Sequence, residues 1–144
     1  MASKYVLDAH TVIWYLEGNA RLGANAKAVL DDSSSEMILP IIALCEAAHV
    51  IAKGRTKINS AKDFLDRIEL DPRFEIAPLT KEILKESLTL QISEMHDRLI
   101  VATTLHEQNL GHQVSLVTCD ASITSSGLVS TVVESNLLIP HEQN

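Results

Sequence analysis

The sequence predicts an α/β fold in which helices cover both faces of a parallel or mostly parallel sheet. Short apolar runs of strand length alternate along the chain with longer segments whose apolar residues recur at helical spacing. Aromatic residues make up only 3% of a chain that is 46% hydrophobic, so the core is aliphatic, as in helices packed on a parallel sheet. The 144 residues are enough for one domain and too few for two, so residues 1–144 are expected to form a single domain.

The first half of the chain is predicted to begin with a strand and to alternate between strands and helices. Thr11 is the expected cap of the first helix. Pro40 ends a strand and can also open the helix that follows, because its missing N–H costs nothing at a helix start. Gly54 is the expected end of that helix. The elements expected are a strand at 4–8, helices at 11–17 and 23–31, a strand at 37–40 and a helix at 42–53.

The second half continues the alternation. Ser60 is an expected helix cap with Asp63 three residues on, a variant of the capping box, and Thr80 is the expected cap of the next helix. The run at 114–118 is the clearest buried strand, and a short helix is expected to begin at Cys119 and Asp120. The elements expected are a helix at 60–70, a strand at 74–77, helices at 79–90 and 97–109, and strands at 114–118 and 130–135.

Composition limits the partners of the protein. Its net charge of −7 differs from the basic footprint of proteins that bind polyanions, so a nucleic-acid role needs another source of positive charge, such as a bound divalent metal. The basic loop 53–57 either meets an RNA backbone or is a solvated helix end. No apolar run approaches the roughly 20 residues that span a bilayer, and no signal peptide is recognisable, so a cytoplasmic protein is expected. Cys45 and Cys119 are expected to be buried free thiols.

Four acidic residues stand where function is expected. Asp8 and Asp120 each follow a predicted buried strand, and the carboxyl ends of neighbouring parallel strands meet about 4.8 Å apart at the ligand-binding edge of a sheet. Glu46 interrupts an apolar helix and Asp97 opens one that is nearly as apolar, and an ionised carboxylate in such a place is costly unless it is paired or bound to a metal. If the four converge, a divalent cation removes their repulsion. Oxygen ligands without a cysteine or histidine cluster favour Mg²⁺ or Mn²⁺.

Each acid also has a structural interpretation. Asp8 and Asp120 can cap the helices that follow them, and Asp97 can be an N-cap or a first-turn acid. Glu46 can form a buried ion pair with an arginine such as Arg98. Arg98 itself either steadies a carboxylate or a phosphate through a bidentate contact or points to solvent.

At these acids the sequence resembles the PIN-domain ribonucleases, specifically the VapC-type toxins of bacterial toxin–antitoxin modules. The similar motifs occur in the family's order: YVLDAHTVIWYL around Asp8, PIIALCEAAHV around Glu46, HDRLIVATTL around Asp97 and LVTCDASI around Asp120. The resemblance implies a small three-layer α/β/α sandwich, one or two Mg²⁺ or Mn²⁺ ions held by the four acids, and endonucleolytic cleavage of RNA. It also implies two partners, a second copy of the chain and an antitoxin that blocks the site.

The chain departs from the family pattern close to the acids. Ala9 stands where threonine is commoner, Ala43 where serine is common, and His96 where many relatives have phenylalanine. None of these changes removes an expected ligand, but each alters the shell around the metal. Thr118 and Ser122 keep hydroxyls that would support the site around Asp120.

Two other functions fit part of the pattern. An aspartyl-nucleophile phosphatase would also place an acid, Asp8, after the first strand, but such enzymes usually have a second Asp two residues on, where this chain has His10. A non-catalytic, receiver-like module would bind a metal through the same acids, but receiver domains carry an acidic pair near the end of the first strand. Trapping a phospho-aspartate would favour the phosphatase, and a failure to cleave RNA with Mn²⁺ would favour the binding module.

Overall fold

A single sheet of parallel strands forms the centre of the molecule. The computed structural model describes residues 3–118, 123, 126–129 and 131–132. Within these residues the sheet has five strands in the order β3-β2-β1-β4-β5, and every pairing is parallel. The strands are β1 (Lys4–Leu7), β2 (Glu36–Pro40), β3 (Phe74–Ala77), β4 (Val114–Val117) and β5 (Thr131–Val132).

Helices connect the strands and run back along the sheet. A short 3-10 helix at Ala20–Leu22 lies between the first and second α-helices. Gly18, with φ +67°, ends the first α-helix in the left-handed conformation that glycine adopts without strain. The helices within the described residues are α1 (Ala9–Glu17), α2 (Ala24–Asp31), α3 (Ile41–Ala52), α4 (Ala61–Leu70), α5 (Lys81–Ser87) and α6 (Met95–Asn109).

Two apolar cores separate three layers. Successive strand residues point to opposite faces: Leu7 and Val117 join a core with α1, α2, α3 and α4, whereas Val6 and Leu116 join a second core with α6. Helix α5 packs on α6. The prediction of an α/β/α sandwich with a mostly parallel sheet is therefore confirmed. No helix in the described part of the chain is both long enough and apolar enough to cross a bilayer.

Most predicted elements lie within a residue or two of their observed bounds, and the main differences concern the starts of α1 and α6 and both ends of α5. Ser60 and Thr80 are the caps that the sequence predicts, accepting the N–H groups of Asp63 and Ile83. The prediction that Thr11 caps α1 is wrong, because β1 ends at Leu7 and Asp8 is the cap. Helix α6 begins at Met95, two residues before its predicted start, and α5 ends at Ser87 rather than at residue 90.

The prediction of buried thiols is wrong for Cys45, which is free but exposed. Helix α3 is apolar on nearly all sides, and its core contacts come from the face that carries Leu44, Ala47 and Ile51, so Cys45 falls on the outer face. Cys119 and Asp120, with the short helix predicted to begin there, lie outside the described residues, as does most of the predicted strand at 130–135.

Candidate metal centre

The candidate site lies at the carboxyl edge of the sheet, between β1 and β4. From β1 the chain builds β2 and β3 on one side and then crosses to β4 and β5 on the other, and parallel α/β sheets bind ligands at such a reversal of strand order. Asp8 is the first residue after β1, and Thr118 is the first after β4. Because Leu7 pairs with Val117 in the β1–β4 ladder, Asp8 and Thr118 are opposite each other at this point.

Both carboxylate oxygens of Asp8 are held by donors from neighbouring segments. Oδ1 accepts the N–H of Thr11 at 2.9 Å, which is the capping bond of α1. Oδ2 accepts the hydroxyl of Thr118 at 2.5 Å, and Thr118 is only 3% exposed. The hydroxyl of Thr11 also donates to the carbonyl oxygen of Val117 at 3.0 Å. Asp8 is thus oriented from both sides of the β1–β4 edge, and each oxygen keeps a lone pair with which it can bind a cation.

Glu46 lies in the middle of α3 and is half-buried. Three residues before it on the helix, Ala43 lies in the core with α6, and four residues after it, Val50 packs against the other core, so Glu46 lies between the two cores. No Lys, Arg or His forms an ion pair with Glu46 in the described part of the chain, and the alternative pair with Arg98 is therefore not found. A half-buried carboxylate without a compensating charge suits a site that binds a cation.

Asp97 lies in the first turn of α6 but is not its cap. Glu94 holds that position, and its Oε1 accepts the N–H of Asp97 at 3.1 Å while its Oε2 lies 3.1 Å from Nδ1 of His96. Partial burial opposes ionisation of Glu94, but hydrogen bonds from the backbone of His96 and Asp97 outweigh it and lower the pKa of Glu94. Of the two structural interpretations of Asp97, the cap is not found and the first-turn acid is. The start of the helix further stabilises negative charge at Asp97.

The elements that carry Asp8, Glu46 and Asp97 meet near the carboxyl edge of the sheet, called the acidic edge below, but the three described acids do not by themselves form a metal site. Asp8 begins α1, Glu46 lies on α3, and α3 packs against both α1 and α6, which carries Asp97. Among residues 3–118, 123, 126–129 and 131–132, no three His, Cys, Asp or Glu side chains form a group that could hold a metal ion. The fourth predicted ligand, Asp120, lies outside these residues. The carboxylate oxygens suit a hard cation by their chemistry.

The most basic loop lies at the opposite edge of the sheet. Helix α3 starts at the carboxyl end of β2 and runs back along the sheet, so the loop 53–57 after it lies near the amino ends of the strands. The N–H of Lys57 donates to Glu17 at the end of α1 at 2.7 Å, which holds the loop there. This position favours a solvated helix end over contact with an RNA bound at the acids.

A cavity of about 450 Å³ also lies away from the acids. It opens among the C-terminal ends of α1 and α4 and the first residue of β3, and Trp14, Leu70 and Phe74 supply apolar parts of its wall. These elements meet at the amino edge of the sheet.

Two residues of the acidic edge have roles that the sequence does not predict. The hydroxyl of Thr118 donates to Asp8, 110 positions away along the chain, whereas Asp120 and Ser122, which the sequence groups with Thr118, lie outside the described residues. Glu94 was not expected to cap a helix, since Ser, Thr, Asp and Asn are the usual caps. The sequence does show that β1 and β4 are each followed by a side chain that can form hydrogen bonds. Only the register of β1 against β4 shows that Thr118 bonds to Asp8.

Comparisons with known proteins agree on one family and one fold. The family model described as PIN domain matches residues 5–125. VapBC2 from Rickettsia felis, solved bound to a DNA fragment from its promoter, has a similar structure with a TM-score of 0.66 at 17% identity, over 90% of this chain and 98% of that chain. VapC20 from Mycobacterium tuberculosis, a toxin that cleaves the sarcin–ricin loop, gives a TM-score of 0.57 at 15% identity, over 87% of this chain and 96% of that chain. No curated protein matches the sequence.

Proposed function

This chain belongs to the PIN domain family, and from that membership we propose that it is a metal-dependent endoribonuclease, a hydrolase of RNA phosphodiester bonds that acts as the toxin of a toxin–antitoxin pair. The observation that carries the proposal is that Thr11 and Thr118 donate hydrogen bonds to the carboxylate of Asp8 at the point where the strand order of the sheet reverses. A structural neighbour, VapC20, is an RNA-cleaving toxin, which favours RNA as the substrate here.

Asp8, Glu46, Asp97 and Asp120 are the proposed ligands of Mg²⁺ or Mn²⁺. Asp8 would present a carboxylate whose orientation is fixed before the ion arrives, and Glu46 would add one that has no described counter-charge. When bound, such an ion polarises a water, orients the phosphate and stabilises charge on the leaving oxygen. The expected products are a 5′-phosphate and a 3′-hydroxyl.

The two rival functions gain no supporting observation. In a phosphatase, the residue two positions after the nucleophile would work as an acid or base, but His10 is exposed and its ring lies against Trp14 with centroids 5.7 Å apart. In a receiver-like module, a second acid would stand beside Asp8 near the end of β1, where the chain has Leu7 and Ala9 instead, both buried. The acidic edge therefore suits cation-assisted cleavage better than phosphoryl transfer to Asp8.

The proposed partners are a second copy of the chain and an antitoxin, with action in the cytoplasm. A self-association surface is available on the outer side of α5, where Leu84 and Leu88 lie one helical turn apart and are 48% and 70% exposed. Contiguous exposed apolar patches mark protein–protein interaction sites, and these two leucines would form part of such a patch. The antitoxin rests on the resemblance to VapC-type toxins.

The test is cleavage of total cellular RNA by the purified protein with Mn²⁺, with Mn²⁺ and excess EDTA, and by Asp8→Asn and Asp97→Asn. Asparagine caps a helix about as well as aspartate, so Asp8→Asn keeps the cap of α1 while it removes the charge. Both variants are expected to fold and to lose cleavage, as EDTA does to the unaltered protein. Full activity of both variants in excess metal would refute the assignment.

A further inference from the structure

Arg98 is a cation placed beside the acidic edge. It follows Asp97 near the start of α6, which has 15 residues and is therefore about 22 Å long. Strand β4 has four residues, or about 13 Å, and it begins shortly after α6 ends. The start of α6 therefore reaches the carboxyl edge of the sheet, and side chains there lean further toward that edge because helical side chains tilt toward the N-terminus.

The guanidinium of Arg98 has too few acceptors in the folded chain. Its Nη1 donates to the carbonyl oxygen of Ile92 at 3.3 Å, at the long end of the range for a hydrogen bond. Its Nε is buried without any hydrogen-bond partner, and it is the one such side-chain atom found in the described part of the protein. A buried donor without an acceptor is costly, and it calls for an explanation such as an absent ligand.

Other partnered cations of the described chain differ from Arg98. Lys27, Lys62 and Arg73 each form an ion pair with an aspartate. Arg67, like Arg98, donates to a backbone carbonyl oxygen, that of Leu16 at 2.8 Å, but Arg67 is exposed to water. Arg98 forms no ion pair with a described carboxylate, although the chain has a net charge of −7. An arginine with free donors beside a site that would bind phosphodiesters is suited to a phosphate, whose paired oxygens match its planar fork.

We propose that Arg98 binds a backbone phosphate of the RNA at the acidic edge. The inference rests on the proposed function, since it takes RNA as the ligand. It also supplies part of the positive charge that the composition lacks, because the basic loop 53–57 lies at the other edge of the sheet. Arg98 is a substrate-binding residue in this proposal, and the ion held by the acids remains a separate requirement.

The test measures binding without cleavage. The Asp8→Asn variant, the parent in this test, is titrated into a short fluorescein-labelled single-stranded RNA, and binding is followed by anisotropy at several salt concentrations. The same titration is made with double variants that carry Arg98→Gln, Arg98→Lys or Arg55→Gln in addition. Arg98→Gln is expected to bind about tenfold or more weakly, with a salt slope lower by about 0.7. Arg98→Lys should keep the salt slope but lose part of the affinity, because lysine has no fork. Arg55→Gln, the same charge change in the exposed loop at the amino edge, should bind like the parent.

The outcomes separate the two proposals. Equal affinity and salt slope for Arg98→Gln and the parent would overturn the role of Arg98. A fall in thermal stability with unchanged RNA binding would also overturn it, because the only role of Arg98 would then be its structural hydrogen bond to Ile92. Equal losses in Arg98→Gln and Arg55→Gln would also overturn it, since the effect would then be general charge. If Arg98→Gln weakens binding but the unaltered protein never cleaves RNA with Mn²⁺, the phosphate contact stands and the nuclease proposal fails.

Discussion

Replacing Thr118 by valine tests whether the hydrogen bond from its hydroxyl to Asp8 orients that carboxylate for binding a cation. Valine has the shape of threonine, and the side chain is 3% exposed, so the change removes the hydroxyl and little else. Oδ2 of Asp8 would lose the donor that now lies 2.5 Å away, whereas Oδ1 would keep the N–H of Thr11. The carboxylate would then be held on one side only.

The size of the effect follows from the partners of this bond. A hydrogen bond to a charged acceptor contributes about 1.5–3 kcal/mol, and Asp8 is half-buried, so water would replace part of it. The free energy of unfolding should therefore fall by about 1.5 kcal/mol, which lowers the melting temperature by roughly 3–6 °C in a chain of this size. Mn²⁺ affinity should fall about tenfold, as is usual when a partner of a ligand is removed.

Isothermal titration with Mn²⁺ and thermal unfolding, on the same samples, give both quantities. Thr118→Ser keeps the hydroxyl and should bind Mn²⁺ nearly as the parent does. Thr104→Val is the matched control, because Thr104 is also fully buried but its hydroxyl donates to the carbonyl of Ile100 within α6 at 3.0 Å, away from the acids. If Thr118→Val binds Mn²⁺ as tightly as the parent, or no more weakly than Thr104→Val does, the reasoning about Asp8 is refuted.

Two further predictions concern stability and assembly. The side chain of Arg73 donates to both oxygens of Asp71 and lowers the pKa of Asp71 below its ordinary 3.8, so this pair stabilises the fold above that pH and the benefit is lost as the pH falls through the lower, folded value. Asp71→Asn should therefore unfold about 1 kcal/mol more easily than the parent near neutral pH, and denaturant titrations should show the difference closing in strong acid; a constant difference would contradict the assignment. Leu88→Glu should convert a dimer into a monomer in sedimentation velocity while Leu110→Glu, also exposed but at the end of α6, should not, and a dimer that survives Leu88→Glu would place the interface elsewhere.

Local patterns predict the elements of this fold because the decisive contacts are local. Ser60 and Thr80 each bond an N–H three residues on, so the residue type and its spacing are enough to identify them. The choice between Thr11 and Asp8 as the cap of α1 is harder, since both residue types cap helices well. It depends on the strand ending at Leu7, which leaves Asp8 in extended backbone, with φ −82° and ψ 175°, and its Oδ1 within reach of the N–H of Thr11.

The features that the sequence does not predict depend on packing between distant segments. Cys45 is apolar among apolar neighbours, and only the way α3 sits on the sheet decides that its face is the outer one. The bond between Thr118 and Asp8 depends on the register of β1 against β4. The acids themselves could be selected from the sequence because each breaks a local pattern, but their mutual positions could not.

The groups around Asp8 and Glu46 explain how a chain with a net charge of −7 can keep these carboxylates available for a cation. No described Lys or Arg forms an ion pair with Asp8 or Glu46, so no fixed positive side chain competes for their lone pairs. Asp8 is instead held by neutral donors, an N–H and a hydroxyl, which orient a carboxylate without neutralising its charge. Arg98 carries the nearby positive charge, and its buried Nε makes no bond to the acids. An edge built this way would attract a divalent cation and, in the role proposed for Arg98, the phosphate that the cation and Arg98 would share.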